Sequence, residues 1–276
     1  MILLPQKWER QPTVPMVVDW NHPLAQDLLE FGYALPGLVP YSAVAAGSAQ
    51  PFVTGTGTQD ATTNGRAITV NGTGNYINLG RNISAPTQVA SGFVRSTAHA
   101  VSTTLFTSAL VSGTAYIGHD LRGGSAGPIQ AQWGDGGGAA SSNRRSATSA
   151  DGVLPANGEF SAGFVCRASA DWSLYVGGVN LGAPTYSGTA SAYAAGTANG
   201  TVNFRSAAST YGQQSSSTWA FWARALTDGE MQALHEAPFQ LLVKRQRRIW
   251  VAVSGGGGKG FPFPPPMRGF IHMLVR

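Results

Sequence analysis

The sequence predicts an all-β protein, an antiparallel β-sandwich or jelly roll with one short C-terminal helix. Three observations lead there. Candidate strands recur along the chain with turn signals about every 8–15 residues, the rhythm of a sandwich. Charged residues make up only 11% of the chain, against roughly 25% in an average soluble protein, and 36 glycines with many Ser, Thr and Asn residues take their place. An apolar content of 43% separates this composition from disorder, which combines low hydrophobicity with high charge. Finally, RALTDGEMQALHEAPFQLL (224–242) carries the punctuation of a helix. No repeat of about 20–50 residues recurs, so a solenoid or propeller is not indicated.

The elements follow in order. Residues 1–16 read as an irregular N-terminal arm, because Pro5, Pro12 and Pro15 prevent regular structure. In VDWNHPLAQDLLEFGYALPG (18–37), His22-Pro23 opens a turn, Leu28, Leu29, Phe31 and Tyr33 supply apolar positions, and Pro36-Gly37 closes the segment. Residues 40–64 are small and polar, the composition of short strands and loops. GRAITVNGTGNYINLG (65–80) is the clearest β signal. Ile68 and Val70 alternate with Ala67, Thr69 and Asn71, NGTGN turns, and Tyr76, Ile77 and Leu79 resume. Its halves read as consecutive antiparallel strands. Further strands are expected over 90–97, 103–111, 115–121, 129–133, 160–168, 171–182, 201–207 and 218–224. Residues 134–158 read as a long Gly/Ser/Ala loop, and 183–200 as a similar one whose large side chains are Tyr186 and Tyr193.

Thr227 is a helix N-cap, and Glu230 three residues later completes a capping box, with Leu226 and Met231 in staple positions around it. Met231 and Leu234 share the inward face, and Pro238 stops the helix after about two to three turns. A helix this short needs a surface to pack on, so it is an accessory to the β structure.

Several classes are set aside at this point. The lone cysteine, Cys166, lies in the strand-like FVCRA, permits no intrachain disulfide and reads as a small buried hydrophobe. MILLPQKWER holds too short an apolar run for a signal-peptide core, and no run approaches the roughly 18 residues of a membrane span. The charge is uneven. Residues 244–276 hold 7 of the 18 basic residues and no acids, whereas residues 1–243 carry 11 basic against 13 acidic residues, a net of −2. A near-neutral body with a basic tail is not the footprint of a nucleic-acid-binding fold.

Four segments, in order, carry a family resemblance. GRAITVNGTGNYINLG resembles the G-x-A-l-x-F-x-G-x-x-x-Y-V-x-l strand pair of the laminin-G-like, concanavalin A-like lectin and glucanase family. WSLYVGGVNLG (172–182) is similar to its l-x-l-Y-v-D-G-v hairpin, and WARALTDGEMQALHEAPFQLL (222–242) to its closing strand and helix. WNHPLAQDLLEFGYALPG (20–37) resembles the N-terminal strand of copies found in bacteriophage genomes. In those copies the closing helix is followed by Pro-aromatic-Gln and a basic run, as in Pro238-Phe239-Gln240 and Lys244–Arg248 here. The resemblance implies a concanavalin A-like (laminin-G-like) sandwich over 17–243 with extended terminal arms, its helix packed beside the last strand. It does not fix a function, because this fold hosts enzymes, lectins and structural modules.

Glycoside hydrolysis, performed by relatives on this fold, needs two carboxyl groups flanking the bond, roughly 5–5.5 Å apart for retention. The i, i+2 acid pair present is Asp228 with Glu230, which the helix cap already accounts for. The five histidines, His22, His99, His119, His235 and His272, are scattered without metal-ligand spacing and read as surface or turn residues. No zinc site is expected. The family's ion is calcium, but Gly177 stands where its hairpin carries Asp; Asp135 and Asp151 in the long loop are the remaining calcium ligands to consider. No nucleophile elbow, P-loop or dinucleotide fingerprint occurs, and GGGGKG (255–260) reads as a hinge. Carbohydrate binding needs aromatic platforms beside polar groups, for which Trp133 with Asp135 and Trp172 with Asp171 are the candidates. Aromatics fill cores more often than they face ligands.

The tail, 244–276, is the most informative feature. It joins a basic strand-like piece around Arg245, Arg247, Arg248 and Trp250 to a glycine hinge, the polyproline-like FPFPPP with Phe261 and Phe263, and an apolar end containing Phe270. Fully extended it would span roughly 100 Å, while the body's radius of gyration is about 17–18 Å. So apolar a tail needs a surface that buries it. The expectation is a non-enzymatic bacteriophage virion structural protein, first of all a capsid decoration protein, made in the host cytoplasm and displayed on the particle surface. Its tail would anchor to capsid or tail subunits or to sister copies in a homo-oligomer. The alternative is a tail or baseplate lectin that recognises a host surface glycan; a glycoside hydrolase ranks third. No membrane and no specific nucleic acid are expected as partners, and no cofactor.

Overall fold

The structure is a computed structural model that describes residues 9–45, 50–62, 65–70, 75–83, 89–97, 103–107, 118–123, 127–138, 140–155, 158–191, 193–194, 199–202, 204–205, 210–211, 214–244, 249–252 and 270–273. Alternating sequence yields two antiparallel sheets. The first runs Val179–Asn180, Asp171–Val176, Glu159–Ala168, Ser91–Thr97, Gln214–Trp222, Leu28–Leu35, Val39–Ser42, with Gly65–Val70 paired both to the start of Gln214–Trp222 and to Gly57–Thr62. The second runs Thr185–Ser187, Arg144–Thr148, Ile129–Gly134, His119–Gly123, Thr103–Thr107, Thr201–Val202, Tyr76–Asn78, Phe52–Thr54. The architecture is the antiparallel β-sandwich of jelly-roll type that the sequence predicts.

Period-two alternation decides what lies between the sheets. On Glu159–Ala168, Phe160, Ala162, Phe164 and Cys166 turn inward, and on the next strand Trp172 and Leu174 do so. Trp219 and Phe221 of Gln214–Trp222 join them, and Phe221 stacks on Phe106 of the opposite sheet with ring centroids 3.6 Å apart. The intervening residues build a second apolar layer on the outer face of the first sheet: Phe31, Tyr33, Phe93, Val165, Tyr175 and Trp222.

The helix, Asp228–Glu236, covers that outer layer with Met231 and Leu234. Its capping box is complete: Thr227 accepts from the Glu230 amide, and Glu230 accepts from the Thr227 amide. Leu226 and Met231 are both buried in this layer, as a staple requires. Arg224 clamps Glu230 from the preceding turn, Nη2 to Oε1 at 2.6 Å. Close approach is what Gly163 permits, since a Cβ there would sit 2.2 Å from the Met231 terminal methyl. In the hairpin between Asp171–Val176 and Val179–Asn180, Gly177 and Gly178 take φ of 61° and 78°, the left-handed pair that a two-residue turn demands. Phe239 then meets Phe31 and Tyr33 edge-on, and Leu242–Lys244 pairs with Met16–Val18. Both chain ends of the body therefore close over the same face. Farther out, Ile249–Ala252 and Phe270–Met273 pair antiparallel with each other and with no other described strand.

One ion pair joins the two sides of the sandwich. Glu30, fully buried on Leu28–Leu35, accepts from Arg81 Nε at 3.2 Å and Nη2 at 2.5 Å, and Arg81 Nη2 also donates to the Leu29 carbonyl. Burial pushes the Glu30 carboxyl up from its ordinary value, with Arg81 opposing.

Three expectations are corrected. The halves of 65–80 are not a hairpin: Gly65–Val70 lies in the first sheet and Tyr76–Asn78 in the second. Alternation identifies a strand without naming its partner, and Ile68, Val70, Ile77 and Leu79 enter one core from its two sides. The expected loop 134–158 contains a 3-10 turn, Ser141–Asn143, and the strand Arg144–Thr148, which polar side chains disguised; Thr185–Ser187 likewise adds a strand in 183–200. His119 is no surface residue; it is fully buried.

Candidate ligand-binding site

The strand Ser91–Thr97 begins at the end of the sandwich where Glu159–Ala168 and Gln214–Trp222 finish. There a cavity of about 320 Å³ is lined from both sheets. Ala90, Cys166 and Ala223 belong to the first sheet's strand ends, Trp133 to the second sheet, and Ser169, Ser191 and Tyr193 to adjoining turns. A β-bulge between Cys166 and Ala168 ends the regular pairing there, and bulges at strand ends commonly terminate ladders beside functional sites.

An aromatic column connects the cavity to the core. The His119 ring stacks between Phe164, at 5.5 Å, and Tyr193, at 5.1 Å, and Tyr193 meets Trp133 edge-on at 6.5 Å. Burial lowers the His119 imidazole to about 3, so it is neutral at ordinary pH and packs as an aromatic. Burial also pushes the Cys166 thiol up to about 12, Asp171 adding to the effect and Arg167 opposing it, which makes it an unreactive wall.

Polar groups on the lining are of two kinds. Trp133 is buried, and its indole N–H, which has no accessible surface, finds no acceptor among the described residues; no hydrogen bond of the Ser169 or Ser191 hydroxyl is described. Arg167, by contrast, reaches Asp171 Oδ1 at 3.3 Å and Ser173 Oγ at 3.0 Å. Ser173 alternates with the inward Trp172 and Leu174, so the Arg167 guanidinium lies toward the outer side of the sheet. Arg145 holds the turn in place, donating from Nε to the Ser169 carbonyl (2.8 Å) and from Nη1 to Gly188 (2.7 Å), with its guanidinium over the Tyr186 ring. No carboxylate is among the described lining residues.

The residues singled out from the sequence divide. Trp133 reaches the cavity wall. Trp172 is core, packed against Phe164 and His119, while its backbone N–H donates to the Tyr186 hydroxyl. Asp135 shapes its own loop, accepting from the Gly137 amide (2.9 Å) and Asn143 Nδ2 (3.1 Å), and Asp171 is the exposed partner of Arg167. Asp228 and Glu230 serve the helix: Tyr175 donates to Asp228 at 2.6 Å, and Glu230 caps. Among the described residues no three His, Cys, Asp or Glu side chains converge on a metal-sized point. Trp250 and Phe270 lie in the described tail strands, whereas Arg245, Arg247, Arg248, Phe261 and Phe263 fall outside the described residues. Tyr193 and Ser191, in the segment 183–200 that the sequence marks as a loop, also line the cavity, as does Ser169, which the sequence did not single out. For Tyr193 the signal was a lone large side chain in a Gly/Ser/Ala loop, which small neighbours leave room to turn inward.

No protein-family model matches the chain, and no curated protein matches it in sequence. Solved structures do match its shape. The binding domain of Paraclostridial Mosquitocidal Protein 1 aligns with a TM-score of 0.55 at 8% identity, over 78% of this chain and 53% of that one. The receptor binding domain of the botulinum neurotoxin C/D mosaic serotype aligns at 0.53 and 12%, over 76% and 51%. A Trypanosoma rangeli sialidase in complex with 2,3-difluorosialic acid aligns at 0.51 and 11%, over 77% and 33%. The chain thus spans about half the length of the toxin binding domains it matches and a third of the sialidase. At these identities what is shared is the fold: this chain is a β-sandwich of the same architecture as those binding domains.

Proposed function

We propose that this chain is a non-enzymatic virion structural protein of bacteriophage type, a capsid decoration protein whose sandwich is displayed on the particle and whose C-terminal arm fastens it to neighbouring subunits. The observation that carries this reading is the division between body and arm. The body closes both faces of its first sheet with its own residues, while Ile249–Ala252 and Phe270–Met273 pair only with each other among the described strands. A two-stranded sheet is marginal in water and needs further strands or a packing surface. The basic run before it and the phage-like segments of the sequence support a particle as that surface. The test is a chain ending at Lys244, which keeps the pairing of Leu242–Lys244 with Met16–Val18. It should melt as the full chain does and fail to join particles; normal incorporation refutes the reading.

The end cavity favours a second reading, a lectin-like receptor-recognition module of tail or baseplate. The neighbours include a receptor binding domain and a sialidase, which is consistent with a glycan ligand. Absence of a carboxylate from the described lining supports binding over hydrolysis. A glycan array probed with the full chain tests it, and a blank array counts against it. The two roles are compatible in one displayed subunit.

A further inference from the structure

We propose that the margin formed by Met16–Val18 and Leu242–Lys244 is the docking site for the arm of a second copy of this chain, whose strand Ile249–Ala252 adds to the open edge of Leu242–Lys244. This rests on the reading of the arm as an anchor and names one surface that receives it.

The two strands form a sheet of their own, and one of its edges is closed. The Met16 amide donates to the Tyr33 hydroxyl at 2.9 Å, and the Tyr41 hydroxyl donates to the Met16 carbonyl at 2.8 Å. On the other side, Leu242–Lys244 pairs with no described strand besides Met16–Val18. An edge of this kind is a template for a strand from another chain.

The face beside that edge is apolar where a solvated sheet face is normally polar. Met16, Val18 and Leu242 are buried, so alternation leaves the register partners Val17 and Val243 facing outward, and Val243 is 41% exposed. Val14 and Trp20, 50% and 61% exposed, each lie three residues from Val17, within about 11 Å along the chain. Next to Trp20, the Asp19 carboxylate accepts from the Asn21 amide at 3.1 Å. An exposed indole beside a carboxylate suits an arginine, which pairs with the acid and stacks on the ring. Arg245, Arg247 and Arg248 lead into the arm strand, and residues 244–276 carry 7 basic residues and no acids against a net of −2 for residues 1–243.

The turn chemistry selects another copy's arm over the chain's own. For Ile249–Ala252 to reach its own Leu242–Lys244, the chain must reverse within Arg245-Gln246-Arg247-Arg248. Those four residues include no Gly, Pro, Asn, Asp or Ser, and a reversal gathers three like charges. The steps from Lys244 to Ile249 span at most about 17 Å, so an arm that continues outward passes its own edge and presents the apolar IWVA to a neighbour's.

Sedimentation and disulfide trapping of the full chain test this. Wild type should associate with rising concentration. Val243→Lys and Trp20→Ser, both at exposed positions, should leave the melting temperature unchanged and each weaken association at least about tenfold. An equal mixture of Val243→Cys chains and Val251→Cys chains should oxidise to a mixed disulfide dimer, with the buried Cys166 taking no part. One chain carrying both changes should not close on itself at high dilution; an internal disulfide there places the arm on its own body and overturns the proposal. Association that survives both Val243→Lys and Trp20→Ser overturns this location while leaving the anchoring reading intact. Monomers at every concentration overturn exchange between copies, and the anchoring reading then stands or falls on whether the chain ending at Lys244 joins particles.

Discussion

Replacing Arg81 by Met should expose how the ion pair across the sandwich is balanced. The change removes two charge-assisted hydrogen bonds to Glu30 Oε2, at 3.2 and 2.5 Å, and one to the Leu29 carbonyl. Charge-assisted bonds contribute about 1.5–3 kcal/mol each, yet the larger effect is the carboxylate left buried alone, since breaking a buried pair from one side costs about 3–5 kcal/mol. Arg81 is 30% exposed, so water already shares it and the lower value, about 3 kcal/mol, is expected. For a chain of this size that is roughly a 6–12 °C drop in Tm. The loss should depend on pH. Burial raises the Glu30 carboxyl above its ordinary value and Arg81 opposes that rise, so removing Arg81 raises it further. An acid raised in the folded state stabilises fully below its unfolded value of about 4.3, and that contribution disappears as pH rises through the folded value. The deficit of Arg81→Met should therefore be full near pH 8 and shrink toward pH 5. His119 titrates alike in both proteins and cancels from the difference. Urea melts of wild type, Arg81→Met, Glu30→Gln and the double variant across that range measure it. A deficit that stays flat with pH, or a double variant no more stable than Arg81→Met, refutes the argument.

Other outcomes follow from single contacts. Thr227→Ala removes the reciprocal cap of Asp228–Glu236 and should cost about 1 kcal/mol in denaturant melts, without changing the slope. His119, lowered to about 3 by burial, should show no imidazole titration by NMR from pH 8 to 4 in the folded protein. Because the unfolded chain takes up a proton near 6.5 and the folded one does not, wild type should lose up to roughly 1.4 kcal/mol per pH unit below that point relative to His119→Phe. Cys166, buried with its thiol pushed up to about 12, should resist alkylation at pH 8 until urea unfolds the sandwich, so modification tracks global opening.

Local chemistry made much of this fold readable. The helix needed only Thr227, Glu230, Leu226 and Met231, because capping is decided within six residues. Strand existence was equally local, and FSAGFVCRA and DWSLYV appear nearly where alternation put them. Partnership was not. Gly65–Val70 pairs with Gln214–Trp222 across more than 140 positions, and nothing in NGTGN says that the chain changes sheets there. Arg144–Thr148 escaped because Arg, Ser and Thr hide a strand whose inward Ala147 is small. The site was half legible. Trp133 and Trp172, both flagged as aromatics near strand ends, are both buried in the core between the sheets, and Trp133 also lines the cavity. Tyr193 and the two serines come together only when two sheets and a turn meet, which no sequence window contains.

The same division bears on why the body and its arm have different chemistry. Every large aromatic on the first sheet already has a cover: inside, the second sheet; outside, the helix, Phe239 and the pair Met16–Val18 with Leu242–Lys244. That leaves the outer face no further large apolar surface at its centre for residues beyond Lys244 to complete. The exposed large apolar side chains among the described residues sit instead at the margins: Val39, Phe52 and Val179 on outermost strands of the two sheets, and Val14, Trp20 and Val243 near where the chain departs. An arm rich in Phe, Ile, Leu and Val that merely folded back would trade a complete surface for a crowded one, with little apolar area gained. A partner with an open sheet edge or groove offers that area, and four register pairs in the self-paired hairpin leave two edges to extend. The chain of residues 1–276 alone should therefore associate with rising concentration, while the chain ending at Lys244 stays monomeric by sedimentation. Equal, concentration-independent monomers would mean the arm finds its cover at home.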